Sequence, residues 1–447
     1  TDAATSGPGT DERSFSGNTP PFLLNSFGPR LCEALHFNGY LWEKRISLLE
    51  AIGIFLIGSG ALIFSYIIYP LFMRLLARRS PQEVPKDPAE WPHVTVLMSV
   101  YNEELVLPAK LNSLREINYP REKLRCLIGS DASTDKSNHI LQDFSGMASF
   151  TDVHIFSKRR GKPSVINDLA EIALQRYGKS PTHIFLLTDA NVLLLPDTLR
   201  HLVRHFSRPE VAVVDSHMQA GGTDIFGISR SEQQYISGEV YLKHHEGRVW
   251  GTMIGPFGGC YALRSTHWTA VPPAFLVDDF FITMRALERG GLAINDLDAV
   301  CTENATHDMW VEFRRKSRIS AGNFQNLAVF AHLLWPPWKP LAIAFFSHKV
   351  IRWFGPFLII GIFASGFVLC ESTHWTQVAF WWLTGSILAL PILDYVLQKI
   401  GINYLPLRSA GYFLVMNAAL LHGFFKYLKG IKSNVWERTK RSPTDTA

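Results

Sequence analysis

The feature that most limits what this 447-residue chain can become is a run of 23 residues, Ala51 to Met73, without one formal charge. A helix of that length crosses a hydrocarbon core of about 30 Å, and a run apolar on every side has no solvated face to show to water. Its C-terminal end meets Arg74, Arg78 and Arg79. Basic residues beside a span stay on the cytoplasmic side, which puts the preceding arm outside and the following domain in the cytoplasm. Composition agrees: 47% of residues are hydrophobic and 19% charged, below the roughly 25% charged of ordinary soluble domains. The deficit lies in the flanks, because the stretch from about Glu83 to Arg318 is normally charged.

Three further apolar runs follow that stretch: Trp353 to Cys370, Ser372 to Leu393 and Ser409 to Phe425. Trp335, Trp338, Trp353, Trp375, Trp381 and Trp382 suit the two membrane interfaces. One span before and three after would leave the basic C-terminal end outside, against the charge rule. Either one run does not cross, or another span hides between Leu333 and Trp353. The expected organisation is a flexible Ser/Thr/Gly/Pro-rich arm (1–47), a span with its basic anchor (48–79) and a cytosolic domain (85–321). Interfacial helices (322–352), about three spans (353–430) and a basic tail (431–447) complete it.

The formal charge of +5 comes partly from basic residues beside apolar runs, such as Lys426, Lys429, Lys432, Arg438, Lys440 and Arg441. They read as anchors to a lipid bilayer. A nucleic-acid partner would need a basic stripe with interleaved aromatics on a soluble face, and there is none. Cys32, Cys126, Cys260, Cys301 and Cys370 are scattered and never spaced as CxxC, so they indicate neither a zinc site nor a disulfide framework.

Inside the charged stretch, β-rich apolar runs alternate with helical patterns, as in a sheet built from βαβ units. Strands are expected at His93–Val100, Leu124–Gly129, Val153–Phe156, His183–Thr188 and Val211–Val214. Helices are expected at Glu104–Glu116, Ser137–Phe144, Ser164–Tyr177 and Pro196–Phe206. Polar residues gather after the strands' C-terminal ends, at Tyr101-Asn102-Glu103, Ser130-Asp131 and Asp189-Ala190-Asn191. Ligands of open α/β sheets bind along that edge.

Several of these clusters carry chemistry. Asp189 and Asn191 place two oxygen-bearing side chains at i and i+2, within reach of one hard cation that also binds a diphosphate; a plain turn cap is the alternative. Asp278 and Asp279 sit inside the apolar run Phe275 to Ile282, where a carboxyl is costly unless paired or used. One can serve as a base while the other caps a helix. Arg315 and Arg318 share one helix face and can grip phosphate oxygens, or form a solvated basic face beside the membrane. The loop Lys158 to Lys162 joins a strand to a helix, a setting suited to phosphates, without the spacing of a P-loop.

Seven short pieces in chain order carry a resemblance. They are SVYNEE at Ser99 to Glu104, SDASTD at Ser130 to Asp135, RRGKPSVIN at Arg159 to Asn167 and TDAN at Thr188 to Asn191. GGCYALR at Gly258 to Arg264, VDDF at Val277 to Phe280 and RRKSRI at Arg314 to Ile319 follow. Over Trp91 to Leu327 the chain resembles family 2 glycosyltransferases, in particular the membrane-integrated branch of cellulose, chitin, hyaluronan and poly-N-acetylglucosamine synthases. The resemblance implies an α/β GT-A (Rossmann-like) glycosyltransferase domain inserted between transmembrane helices, at the plasma or inner membrane. It implies that Tyr101, Glu103, Asp131, Lys162, Arg315 and Arg318 bind the nucleotide-sugar. It further implies that Asp189 and Asn191 hold Mg2+ or Mn2+, and that Asp279 is the catalytic base with Asp278 beside it.

The chain departs from that pattern in three places. Asn191 stands where the family usually has Asp, Asp278 where it usually has Glu, and Arg315-Lys-Ser-Arg318-Ile319 replaces Gln-x-x-Arg-Trp. The implied activity is a single displacement at the anomeric carbon that inverts its configuration, with a UDP-sugar as the expected donor. A β-linked polysaccharide built and exported at the membrane is one expected product. The spans on both sides and the expected interfacial helices speak for that product. The alternative is a single sugar placed on a membrane lipid, for which the altered Arg/Ile ending speaks.

Overall fold

The computed structural model describes residues 47–80, 85–221, 228–304, 309–370, 374–400, 402, 404–431 and 433–434. The expected N-terminal arm (with Cys32) and nearly all of the basic tail lie outside the described residues.

The first apolar run becomes a single 33-residue helix, α1 (Ser47–Arg79), carrying π geometry over Phe64–Ile68. Leu49, Leu56, Ile57 and Leu75 remain more than half exposed on it, the arrangement expected when lipid rather than water is the solvent.

Eight strands then form one sheet in the order β3-β2-β1-β4-β7-β6-β8-β5. These are β1 (His93–Val100), β2 (Leu124–Asp131), β3 (Thr151–Phe156), β4 (His183–Thr188), β5 (Val192–Leu194), β6 (Val211–Gly221), β7 (Cys260–Arg264) and β8 (Leu292–Asn304). The first half is parallel, with α2 (Leu107–Arg115), α3 (Ser137–Met147) and α4 (Lys162–Tyr177) as crossovers. Alternate residues of β1 feed cores on opposite faces: Val96 and Met98 into one, Leu97 into the other. Burial on both faces is why these strands read as continuous apolar runs.

The second half corrects the purely βαβ expectation. β7 runs antiparallel to β4 and β6, and β5 antiparallel to β8. β7 follows a long excursion through α6 (Ile228–Trp250) and a Gly-rich loop, so no short crossover forces it parallel. α5 (Thr198–Val203) and α7 (Asp278–Glu288) complete this half.

The expected division near 322 falls inside one helix. α8 runs unbroken over Met309–Phe330, because Phe324 and Phe330 bury themselves in the core beneath the sheet. Beyond it, two helices bent by 61° follow, α9 (Pro340–Trp353) and α10 (Gly355–Leu369), then α11 (His374–Lys399). By length and composition, two described helices can cross a membrane, α1 and the His374–Leu397 part of α11, or three if the bent pair counts as one span. The run Ser409–Phe425 lies in α12 (Leu405–Leu428), which is not among those candidates. Its polar side packs on α8: His422 Nδ1 lies 2.8 Å from Ser317 Oγ, and Ser320 Oγ donates to Leu420 O at 2.7 Å.

A buried ionic network fastens the apolar helices to the domain. On α6, Glu246 accepts from Tyr69 Oη of α1 at 2.9 Å and contacts His348 Nδ1 of α9 at 2.9 Å. The other ring nitrogen of His348 lies 2.9 Å from Glu239, which also binds Lys349 at 3.0 Å and Arg352. Both Glu246 and His348 are fully buried. Removing one partner from such a pair strands the other in a dry interior, at about 3–5 kcal/mol. Glu246→Ala is therefore expected to lower the thermal unfolding midpoint in detergent by several degrees. An unchanged midpoint would show that this network does not fasten the helices.

Candidate active site

The residues that matter converge at the C-terminal edge of the sheet, where β1, β2 and β4 end in loops held to one another by side-chain caps. After β1, Asn102 takes a left-handed conformation, φ 53°. Its Oδ1 accepts from the Thr134 backbone at 2.7 Å, and Glu103 N donates to Ser137 Oγ at 2.8 Å. The loop after β2 is thus locked to the loop after β1. Asp131, at the end of β2, accepts from the backbone N–H groups of Arg160 and Gly161 at 2.8 and 2.7 Å. Its carboxylate therefore shapes the loop that presents Lys162. Tyr101 carries the Arg159 guanidinium 3.6 Å from its ring centre, a cation–π contact.

The centre of the site is Lys162, the first residue of α4. Its Nζ lies 2.6 Å from Asp189 Oδ1 and 3.7 Å from Asp278 Oδ2. Burial alone would lower this ammonium, but Asp189 and Asp278, followed by Asp279, outweigh burial and hold its pKa above the ordinary lysine value. Asp278 and Asp279 open α7, where the helix N-terminus favours negative charge. Burial, then the neighbouring Asp278, push Asp279 up to about 7, against the lowering effect of Lys162. A carboxyl tuned to that value suits a general base near neutral pH.

Asp279 is seated against the Gly-rich loop. Gly258 has φ +47°, and a Cβ there would lie 2.4 Å from Asp279 Oδ2. The same loop holds the metal-type turn, since Gly259 O accepts from Asp189 N at 3.0 Å and from Thr188 Oγ1 at 3.1 Å. From α8, Arg318 has a buried Nε with no hydrogen-bond partner among the described residues, and its guanidinium feels the charges of Asp278, Asp189 and Asp279. A guanidinium left in that state is a seat for an anion. Arg315 lies further out, 3.6 Å from Glu312 and 4.0 Å from Glu303.

The structure thus brings Asp189, Lys162, Asp278 and Asp279 together, with Arg318 beside them and Tyr101, Glu103 and Asp131 on the adjoining loops. Three contributors escaped the sequence reading. Lys110 is fully buried and donates to Thr188 Oγ1 at 2.7 Å and Val192 O at 2.5 Å, bracketing Asp189 and Asn191 from below. Its only signal was a lysine within the apolar stripe Leu107, Leu111 and Leu114. Tyr261 has a buried hydroxyl without a hydrogen-bond partner among the described residues. Burial, then Asp278 and Asp279, hold that hydroxyl well above the ordinary tyrosine value. Glu303, at the end of β8, accepts from Asn191 Nδ2 at 2.5 Å.

The donor set fits a hard divalent cation shared with phosphates. Asp189 already pairs with a positive charge, the Lys162 ammonium, and Asn191 adds an amide oxygen. Among the described residues no three His, Cys, Asp or Glu side chains form a cation cage. A cation here would take one or two protein oxygens and fill its shell from water and phosphate, as Mg2+ commonly does with nucleotides.

Comparison with known proteins bears on the domain that carries this edge. Residues 95–266 match the family described as Glycosyl transferase family 2, so the chain carries a domain of that kind. A curated relative, "Probable glycosyltransferase YdaM" of Bacillus subtilis (strain 168), is 26% identical over 119 residues, covering 24% of this chain and 28% of the relative. The chain thus spans little more than a quarter of that relative's length. Among solved structures, the mannosyltransferase PcManGT from Pyrobaculum calidifontis, in complex with GDP-Man and Mn2+, is similar with TM-score 0.64 and 23% identity. The match covers 86% of this chain and 99% of that one, and it supports the GT-A-like α/β fold.

Gly258→Ala is expected to displace the Asp279 carboxylate and strain the loop. Misplacing a reacting group by about 1 Å can cost about 100-fold in rate. Donor turnover should fall on that scale while nucleotide binding, followed by fluorescence, stays intact. A fully active Gly258→Ala would mean that Asp279 does not need this seat.

Proposed function

We propose that this chain is an inverting, membrane-bound glycosyltransferase that moves a hexose from a nucleoside-diphosphate sugar onto an acceptor held at the membrane. The observation that carries the reading is the orphaned Arg318 Nε in the same site as the Asp189–Lys162–Asp278 cluster and a raised Asp279. It pairs an anion seat with a base.

In this reading Asp279 takes the proton from the acceptor hydroxyl as that oxygen attacks the anomeric carbon. The bond to the β-phosphate oxygen breaks, and Lys162 and Arg318 hold the departing diphosphate. One displacement inverts the carbon, so an α-linked donor gives a β-linked product. Bound Mg2+ or Mn2+, held by Asp189 and Asn191, would neutralise charge on the leaving diphosphate. Tyr101, Glu103 and Asp131 belong to the loops that would receive the nucleoside. The catalytic domain is assigned to the cytoplasm, from the arginines that end α1.

Two acceptors follow from this reading. The first is a growing β-linked glycan exported through the membrane. The second is a membrane lipid, and one observation favours it. A gap of about 320 Å³ with wholly apolar exposed lining opens between α10, α11 and α12, bounded by Ile359, Phe363, Ile387, Leu390, Phe413 and Leu414. Such a gap suits a hydrocarbon chain. Membranes supplied with labelled UDP-glucose, UDP-N-acetylglucosamine or GDP-mannose should yield a lipid-soluble monoglycoside. A high polymer on a sizing gel would decide for the glycan, and no transfer from any nucleotide-sugar would overturn the proposal.

The pH dependence has a definite sign. Asp279 accepts a proton only when ionised, and its free-enzyme value lies near 7. The kcat/KM is therefore expected to fall about tenfold per unit on the acid side of that value, and a bound cation moves this limb lower. Asp279→Asn should reduce turnover at least about 100-fold and abolish the limb. A variant of wild-type rate would discard the base assignment.

A further inference from the structure

The family's metal motif usually carries a second aspartate where this chain has Asn191, and the structure supplies a reason for the exchange. β5 and β8 pair antiparallel with Val192 opposite Glu303. That register sets the end of β8 beside the turn that bears Asn191. Glu303 Oε1 then lies 2.5 Å from Asn191 Nδ2. Its other oxygen, Oε2, is 4.0 Å from Arg315 Nη2 on α8. The Glu303 side chain is only 19% exposed, so water does little to screen these contacts.

An ionised carboxylate can only accept hydrogen bonds. The Asn191 amide must therefore turn its nitrogen to Glu303, which leaves its carbonyl oxygen on the other side. With aspartate at 191, two acceptor-only carboxylates would meet at hydrogen-bonding distance in a half-buried place, with no donor between them.

We propose that Glu303 is a positioning residue of the cation site: it orients the Asn191 amide so that the carbonyl oxygen faces the cation, and it ties that turn to Arg315. The inference rests on reading Asp189 and Asn191 as cation ligands. Glu303 acts through Asn191, as partners behind metal ligands generally do. The carboxylate absent from position 191 is thus present one strand away, with donor and acceptor exchanged.

The test is Mn2+ binding to the purified full-length protein, followed by electron paramagnetic resonance, with UDP and with GDP and without any sugar. Wild type is expected to bind Mn2+ in the presence of one of these nucleotides. Glu303→Gln should weaken binding about tenfold or more. The reversed pair, Asn191→Asp combined with Glu303→Gln, again matches a donor to a carboxylate and should recover to within about threefold of wild type. A purely structural role for Glu303 would not produce that recovery. Wild-type affinity in Glu303→Gln, or a folded reversed pair that stays as weak as the single variant, would overturn the proposal alone. Absence of Mn2+ binding by wild type with either nucleotide would remove the cation-site reading itself.

Discussion

The site depends on one electrostatic constraint: Asp189, Asp278 and Asp279 are brought to the same edge of the sheet, and their charges must be balanced. Like charges in a partly dry cleft raise one another's pKa and push the elements that carry them apart. The Lys162 ammonium, 2.6 Å from one carboxylate and 3.7 Å from another, supplies the balance. Much of the surrounding structure serves its placement. Asp131 holds the loop before it through two backbone hydrogen bonds, and Lys110 braces the turn of Asp189 from beneath. A diphosphate with a divalent cation would bring both signs into this balance, with Arg318 available to the anion.

A second set of charges connects this edge to the apolar helices. On α6, Lys243 donates to Asp215 at 2.6 Å, and Asp215 accepts from the Phe257 backbone at 2.9 Å. Phe257 immediately precedes the Gly-rich loop that seats Asp279. Four residues before Lys243 and three after it, Glu239 and Glu246 bind α9 and α1. These residues lie on neighbouring turns of one helix. The helix thus joins the apolar segments on one side and the Gly-rich loop on the other.

The parallel half of the sheet was legible in the sequence because its strands are buried on both faces and its loops carry polar residues at their C-terminal ends. β1 and β4 match their expected limits, and the acidic, lysine and arginine motifs meet at one edge. The antiparallel half was not legible. GGCYALR carried no strand expectation, yet Cys260–Arg264 is a fully buried strand. Local pattern also leaves the membrane segments open. Trp353 to Cys370 looked short because it is one limb of a bent pair. Ser409 to Phe425 carries Asn417 and His422 among its apolar residues, and across the α12–α8 contact His422 meets Ser317 while Ser320 donates to Leu420 O. Lys110 and Glu303 escaped for a different reason, since each acts on residues distant in sequence, brought near by helix packing for Lys110 and by strand register for Glu303.

That last point bears on how departures from a family pattern are read. Taken alone, asparagine at position 191 removes a negative charge from the proposed cation site and suggests a weaker or altered ligand set. In the folded chain the charge is conserved by the pairing of β5 with β8, because Glu303 stands against the amide. The two positions form one unit, in which a carboxylate needs a donor and the donor needs a carboxylate. An aspartate introduced at 191 without a change at 303 would therefore harm the site, although it restores the usual motif. A substitution within a motif has to be judged together with the side chain that the strand register sets opposite it.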